Sequence, residues 1–153
     1  MRNHIACFKY LMKHKWYVFL AGLNIGAPIW NLIIHDWSKF TKSEWSAYVH
    51  AFYTKQGNKQ YKPNDAFDRA WNHHQKINPH HWQYWILLED EGATKLLEIP
   101  DKYRREMLAD WIGAGRAING RIEVREWYYK NKYKIQLHEN TRLWIEEMLE
   151  DYK

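Results

Sequence analysis

The chain of 153 residues predicts an all-α protein, a compact single-domain helical bundle of about seven helices. Three observations predict it. Apolar residues recur at three- and four-residue spacings along most of the length, and Pro, Asn, Asp and Gly interrupt those runs where helices start and stop. No stretch shows a convincing two-residue alternation, internal repeat or low-complexity bias. A composition that is 46% hydrophobic and 17% aromatic, with ten Trp and eleven Tyr, excludes a disordered tail, and the length suffices for one core.

The elements follow in order. A first helix spans about residues 3–23, and a second opens with Pro28 in its first turn and reaches Asp36. The segment "WYVFLAGLNIGAPIWNLII" raises the question of a membrane span. Asn24, Gly26, Pro28 and Asn31 break it into pieces shorter than the ~20 residues a bilayer crossing needs, so it reads as two core helices meeting at a Gly-Ala-Pro turn. A third helix starts at the capping box Thr41-Lys-Ser-Glu44 and ends near Tyr53. Residues 54–63 form a polar loop, after which Asn64 or Asp65 caps a helix through Ile77. Asn78-Pro79 stops that helix and starts the next, which carries "HHWQYWILLED". A loop around Gly92 leads to Pro100 and Asp101, which open a helix through about Ile118. Two last helices cover about residues 122–130 and 140–151. Trp71, Trp82, Trp85, Trp111 and Trp144 fall at helical spacings and read as core.

Charge and cysteine content narrow the partners. The net charge of +5, from 23 Lys+Arg against 18 Asp+Glu, favours anionic partners such as phosphorylated small molecules or nucleic acid. Residues 1–20 hold Arg2, Lys9, Lys13 and Lys15 with no acid, although solvated helix faces carry lysine routinely. Nucleic acid is the less favoured partner, because no stripe is dense in Lys and Arg. Cys7 stands alone and can form no internal disulfide, and no cleavable signal is visible, so a reducing cytoplasm is expected.

Nine histidines are many for this length, and several lie beside core-type residues. His14 sits late in the first helix among Tyr10, Leu11, Tyr17 and Val18. His35 and Asp36 end the second helix. His73 and His74 follow Phe67, Ala70 and Trp71 at helical spacings, so one of them points inward with that stripe. His80 and His81 open the next helix, and Asp110 lies between Met107 and Trp111. Imidazoles and carboxylates drawn from several helices suit a divalent transition metal, which also offsets the cost of burying Asp36 and Asp110. A cation with an open position lowers the pKa of water and supplies a nucleophile near neutral pH. Lys39, one turn beyond the His-Asp pair, is placed to meet a phosphate oxygen.

The order of a lone His14, the adjacent pair His35-Asp36, a histidine group and the distant Asp110 resembles the HD-domain metal-dependent phosphohydrolases. "HDWSK" is similar to the H-D-x-x-K form of that signature. The resemblance implies an all-helical core, with His14, His35, Asp36 and Asp110 holding a first metal. It also implies that His74 and His81, or their neighbours His73 and His80, hold a second metal or contact the phosphate. The cofactor would be one or two divalent ions among Mn, Co, Fe, Zn, Ni and Mg. The stretches "HDWSKF", "AWNHHQKINPHHWQYW", "EMLADWIGAGRA" and "NKYKIQLHENTR" also resemble a family of short uncharacterised phage and bacterial proteins, which brings no reaction with it.

Other candidates have equally plain structural explanations. Glu106, four residues before Asp110, could orient water or act as general base, or pair with an arginine. Arg116, behind Gly113-Ala-Gly115, could grip phosphate through its fork or pair on the helix surface. His4 and His50 read as surface or packing residues, and His138 as local polar decoration. Aromatic residues beside the histidines could stack a base, which makes a nucleotide the preferred substrate. The expected function is metal-dependent hydrolysis of a nucleotide or related phosphate ester or anhydride, with Lys39, Glu106 and Arg116 as catalytic candidates. The alternative is a module that binds a nucleotide or a protein through a histidine-rich core without turnover.

Overall fold

The longest helix, α1 (Arg2–Asn24), repeats small and apolar residues at spacings of three and four, and buries Cys7, Leu11, His14, Val18 and Ala21 along one stripe. It stops where Gly26 takes φ +70, and Ala27 N–H donates to the Gly22 carbonyl at 2.8 Å. Pro28 caps α2 (Ile29–Ile34), which buries only Leu32, against Gly22. The second helix is therefore shorter than expected: His35 has already left helical geometry and Asp36 is left-handed, with a 3-10 turn over Trp37–Phe40 following. The structure, a computed structural model, describes residues 1–152.

The capping box expected at Thr41 is not formed. Thr41 Oγ1 donates to the Ser38 carbonyl, Glu44 occupies the cap position of α3 (Trp45–Phe52), and the Glu44 side chain is drawn to two histidines instead. Asn64 does cap α4 (Asp65–Ile77), its Oδ1 accepting from Phe67 N–H at 3.0 Å.

The helix expected over "HHWQYWILLED" is absent. His80 and His81 stand in a turn closed by His81 N–H donating to the Asn78 carbonyl at 3.0 Å, Trp82–Trp85 form a 3-10 turn, and Ile86–Leu88 (β1) pairs antiparallel with Thr94–Leu96 (β2). Gly92, at φ +84, allows the reversal between the strands. A three-residue strand is too short to show alternation, which is why this hairpin escapes a periodicity reading. Pro100 then opens α5 (Asp101–Asn119), which Gly120 ends at φ +80. The chain turns over the next residues, so α6 (Val124–Asn131) starts two residues later than expected. His138 caps α7 (Glu139–Met148), its Nδ1 accepting from Asn140 N–H.

Seven α-helices among the described residues, with one small hairpin, make the protein all-α. Its spine is the contact of α1 with α5. Gly113 makes that contact close: a Cβ there would lie 2.7 Å from Val18 N and 2.9 Å from Val18 Cα. The main core joins Val18, Leu32, Met107, Leu108, Ile112, Tyr128, Ile145 and Leu149, with Trp82, Trp85, Trp111 and Trp144 packed around it. Two smaller clusters hold α3 to its neighbours, Cys7, Leu11, Val49 and Tyr53 on one side, and Tyr48, Ala51, Phe67 and Ala70 on the other. Among the described residues no helix is long and apolar enough to cross a membrane.

Candidate metal centre

His14 lies on the buried stripe of α1 between Leu11 and Val18, and helical geometry alone points it inward. His35 and Asp36 need a different device. Asp36 has φ +58, the only positive value at a non-glycine position among the described residues, in a region that Asp and Asn visit more readily than most side chains. Lys15 holds the turn by donating to the carbonyls of Ile33 and His35, while Lys39 N–H donates to the Asp36 carbonyl at 3.0 Å. The reversal turns both side chains into the interior, each about 1% exposed. His74 is buried on α4, and Asn78 closes that helix by donating to the His74 carbonyl at 2.9 Å, which sets His80 and His81 opposite it. Glu106 and Asp110 share a face of α5, four residues apart.

These side chains form two sets of donors. His14, His35, Asp36 and Asp110 make the first: His14 Nε2 is 3.3 Å from Asp36 Oδ2 and 3.1 Å from Asp110 Oδ1, and His35 Nε2 is 3.6 and 3.5 Å from the same atoms. Asp36, His74, His80 and His81 make the second, with Asp36 Oδ1 3.1 Å from His74 Nε2 and 3.5 Å from His80 Nε2. Donors held ~2.1 Å from one ion stand about 3.0–3.4 Å apart, close to the 3.1–3.6 Å separations of these pairs. Asp36 thus offers one oxygen to each.

Chemistry distinguishes these sets from an ordinary polar core. Nε2 of His14, His35, His74, His80 and His81, and Oδ1 of Asp36, are buried without a hydrogen-bond partner. Six orphaned polar atoms gathered in one buried place would be costly, and a divalent cation would satisfy them. The opposite edges of three of the rings are held in place. Glu106 Oε1 accepts from Nδ1–H of His35 at 2.9 Å and of His80 at 3.0 Å, and Glu44 Oε2 accepts from Nδ1–H of His74 at 2.8 Å. Such bonds leave the Nε2 lone pairs free for a metal. His35, His80 and Glu106 could form a third set, but their contacts have hydrogen-bond lengths, and we read Glu106 as the acceptor that orients two rings.

Electrostatics agree. Burial disfavours charge on His35, yet Asp36, Asp110 and Glu106 outweigh it and lift the imidazole to about 9. His14 and His80 are likewise raised against burial by their carboxylates. Burial opposes ionisation of Asp36 and Asp110, but Lys39 and His35 beside Asp36, and His14 and His35 beside Asp110, hold both well below the usual carboxylate range. Glu106 falls to about 2, its burial outweighed by the hydrogen bonds from His35 and His80. His81 goes the other way, lowered by burial and by His80 and His74. The carboxylates therefore demand positive charge, which a divalent cation could supply while displacing the protons from the rings.

His73 turns outward and binds Glu44 Oε1 at 2.9 Å, so of the pair only His74 joins the cluster, whereas His80 and His81 both do. Glu106 meets no arginine: its Oε1 serves two imidazoles and its Oε2 accepts from Asn31 at 2.9 Å, so both oxygens are engaged with neighbouring side chains. Arg116 stacks on Tyr17 at 4.6 Å and forms no hydrogen bond or ion pair with the cluster among the described residues, because six residues of helix carry it beyond Asp110. Lys39 sits on the 3-10 turn with Nζ 2.6 Å from Asp36 Oδ2, and burial of its charge is outweighed by Asp36, which raises its pKa. Glu44 was missed as a site residue because its partner lies thirty positions away.

Lys39 also borders a cavity of about 590 Å³. Tyr10, Tyr48, Tyr53, Phe67 and Trp71 line it, and several lean on the cluster: Tyr10 stacks on His14 and Trp71 on His74. The Tyr48 hydroxyl is buried there without a partner.

Fold and site together define an all-α protein with a buried histidine–carboxylate centre that could hold metal. More particularly, the chain belongs to the Family of unknown function (DUF5662), whose pattern matches residues 3–151. Neither a curated protein nor a solved structure matches it.

Proposed function

We propose that the protein is a metal-dependent phosphohydrolase acting on a nucleotide or a related phosphate ester or anhydride. The observation that carries this reading is the pair of donor sets sharing Asp36, with five unpartnered Nε2 atoms, beside a cavity bordered by Lys39. The order His14, His35-Asp36, Lys39 and Asp110 supports it by its likeness to the HD-domain phosphohydrolases, as does the reach of the donors across α1, α4, α5 and the turn after α2.

Mixed imidazole and carboxylate donors suit Mn, Fe, Co, Ni or Zn, with Mg less favoured because it prefers oxygen. A divalent cation held there supplies Lewis acidity to a phosphoryl oxygen and lowers the pKa of water. The chain's own groups do the rest. Lys39 places an ammonium between Asp36 and the cavity, where it neutralises charge gathering on the phosphoryl group. Glu106 and Glu44 keep three rings fixed, and the aromatic walls receive the organic part of the substrate, a base in the preferred case. In the reaction a water oxygen bonds to phosphorus as the scissile P–O bond breaks. The leaving oxygen takes up a proton and the water gives one up. The reducing cytoplasm of a bacterium, phage-infected or not, is the setting that fits the lone Cys7 thiol, which burial raises to about 11.

Protein loaded with Mn, Co or Mg should release phosphate from members of a nucleotide panel, and His35→Ala or Asp36→Ala should abolish release. No turnover across the panel, with bound metal verified by elemental analysis, overturns the reading; nucleotide bound without turnover would point to the binding module.

A further inference from the structure

One surface has no place in that chemistry. On α1, Phe8, Met12 and Trp16 follow one another at four-residue intervals on the face opposite the buried stripe, and all are exposed. The surface continues beyond the helix. Phe8 and Trp37 both pack on Phe40, with ring centroids 6.2 and 5.9 Å apart, and Lys15, next to Trp16, reaches the carbonyl of Ile33 on α2. Four of the six residues of α2 are large, apolar and exposed. Trp16, Trp30 and Trp37 stand 57%, 73% and 66% exposed, in a chain whose core accommodates other tryptophans. Contiguous apolar surface of this kind marks an interaction site.

Charge selects the occupant. Residues 1–35 contain no Asp or Glu, and Arg2, Lys9 and Lys13 are exposed around the α1 stripe. A second copy on a two-fold axis would set these like charges against themselves. Nucleic acid would match the charge but leave isoleucines and tryptophans against phosphate. An anionic bilayer surface answers both, because tryptophan favours the headgroup boundary and lysines beside it meet acidic lipid. We infer that the α1–α2 face docks the protein in the plane of an anionic membrane, with the three tryptophans entering the interface. No spanning helix is required, and none is present among the described residues.

The full chain should co-sediment with phosphatidylcholine vesicles containing phosphatidylglycerol, and more weakly with phosphatidylcholine alone. Trp30→Gln combined with Ile34→Gln, at exposed positions, should lower partitioning at least about tenfold, since each side chain loses its apolar burial. Lys9→Glu should remove most of the preference for anionic vesicles, and high salt should mimic it. Unchanged circular dichroism shows that the variants fold. Failure to bind either vesicle overturns the inference. So does a dimer in sedimentation equilibrium that the Trp30/Ile34 pair dissociates, because the face would then be covered by a second copy.

Discussion

At the scale of single residues, Asp36 and Glu106 divide two tasks. Asp36 presents an oxygen to each donor set and does so from φ +58, so its backbone and its charge are separate requirements. Asp36→Asn keeps a side chain that tolerates this conformation but removes the charge. We expect folded protein with little bound metal, read by circular dichroism and elemental analysis; full metal occupancy would show that the bridging charge is dispensable. Glu106 touches no orphaned atom and acts through His35 and His80. Glu106→Gln should weaken metal affinity about 10- to 100-fold, the usual cost of losing an orienting partner, in a competition titration against a chelator. An unchanged affinity would contradict the orienting role.

Elements set the spacing of the two sets. α1 contributes His14 and α5 contributes Asp110, and their separation depends on Gly113 lying against the Val18 backbone. Leu32 is also crowded against Gly22, but there the neighbour is a side-chain tip that can rotate. Gly113→Ala should therefore cost about 1–3 kcal/mol in urea unfolding, the range for overpacking a tight core, and should weaken metal binding as well. Gly22→Ala should cost less and leave metal affinity nearly unchanged. Equal effects of the two substitutions would refute the view that the α1–α5 distance sets the site.

For the whole molecule, the consequence is a pH profile that metal reverses. His35 has a folded value of about 9 against an ordinary 6.5, so the stability it gains from its carboxylates is complete below about 6.5 and disappears as pH rises through about 9. In chelator, the melting temperature should fall across that window. With saturating Mn the fall should be suppressed or reversed, because protons compete with the cation for the same rings and their loss favours metal. Superimposable profiles with and without metal would refute the centre as drawn.

Helix periodicity and capping are local rules, so the helical class, most helix boundaries, the inward face of His14 and Asp110, and the inward turn of one of His73 and His74 are legible in the sequence. Local rules failed where distant contacts decide. The hairpin after Trp85 was too short to show a period, and Thr41 lost its expected cap when Glu44 turned to His73 and His74. Long-range packing turns His73 outward and both His80 and His81 inward, and gives Glu106 imidazoles in place of an arginine partner. It also places Arg116 on Tyr17 and gives Asp36 an oxygen for each donor set. Those outcomes depend on the direction of a turn and on the closeness of α1 to α5, which no spacing within one segment encodes.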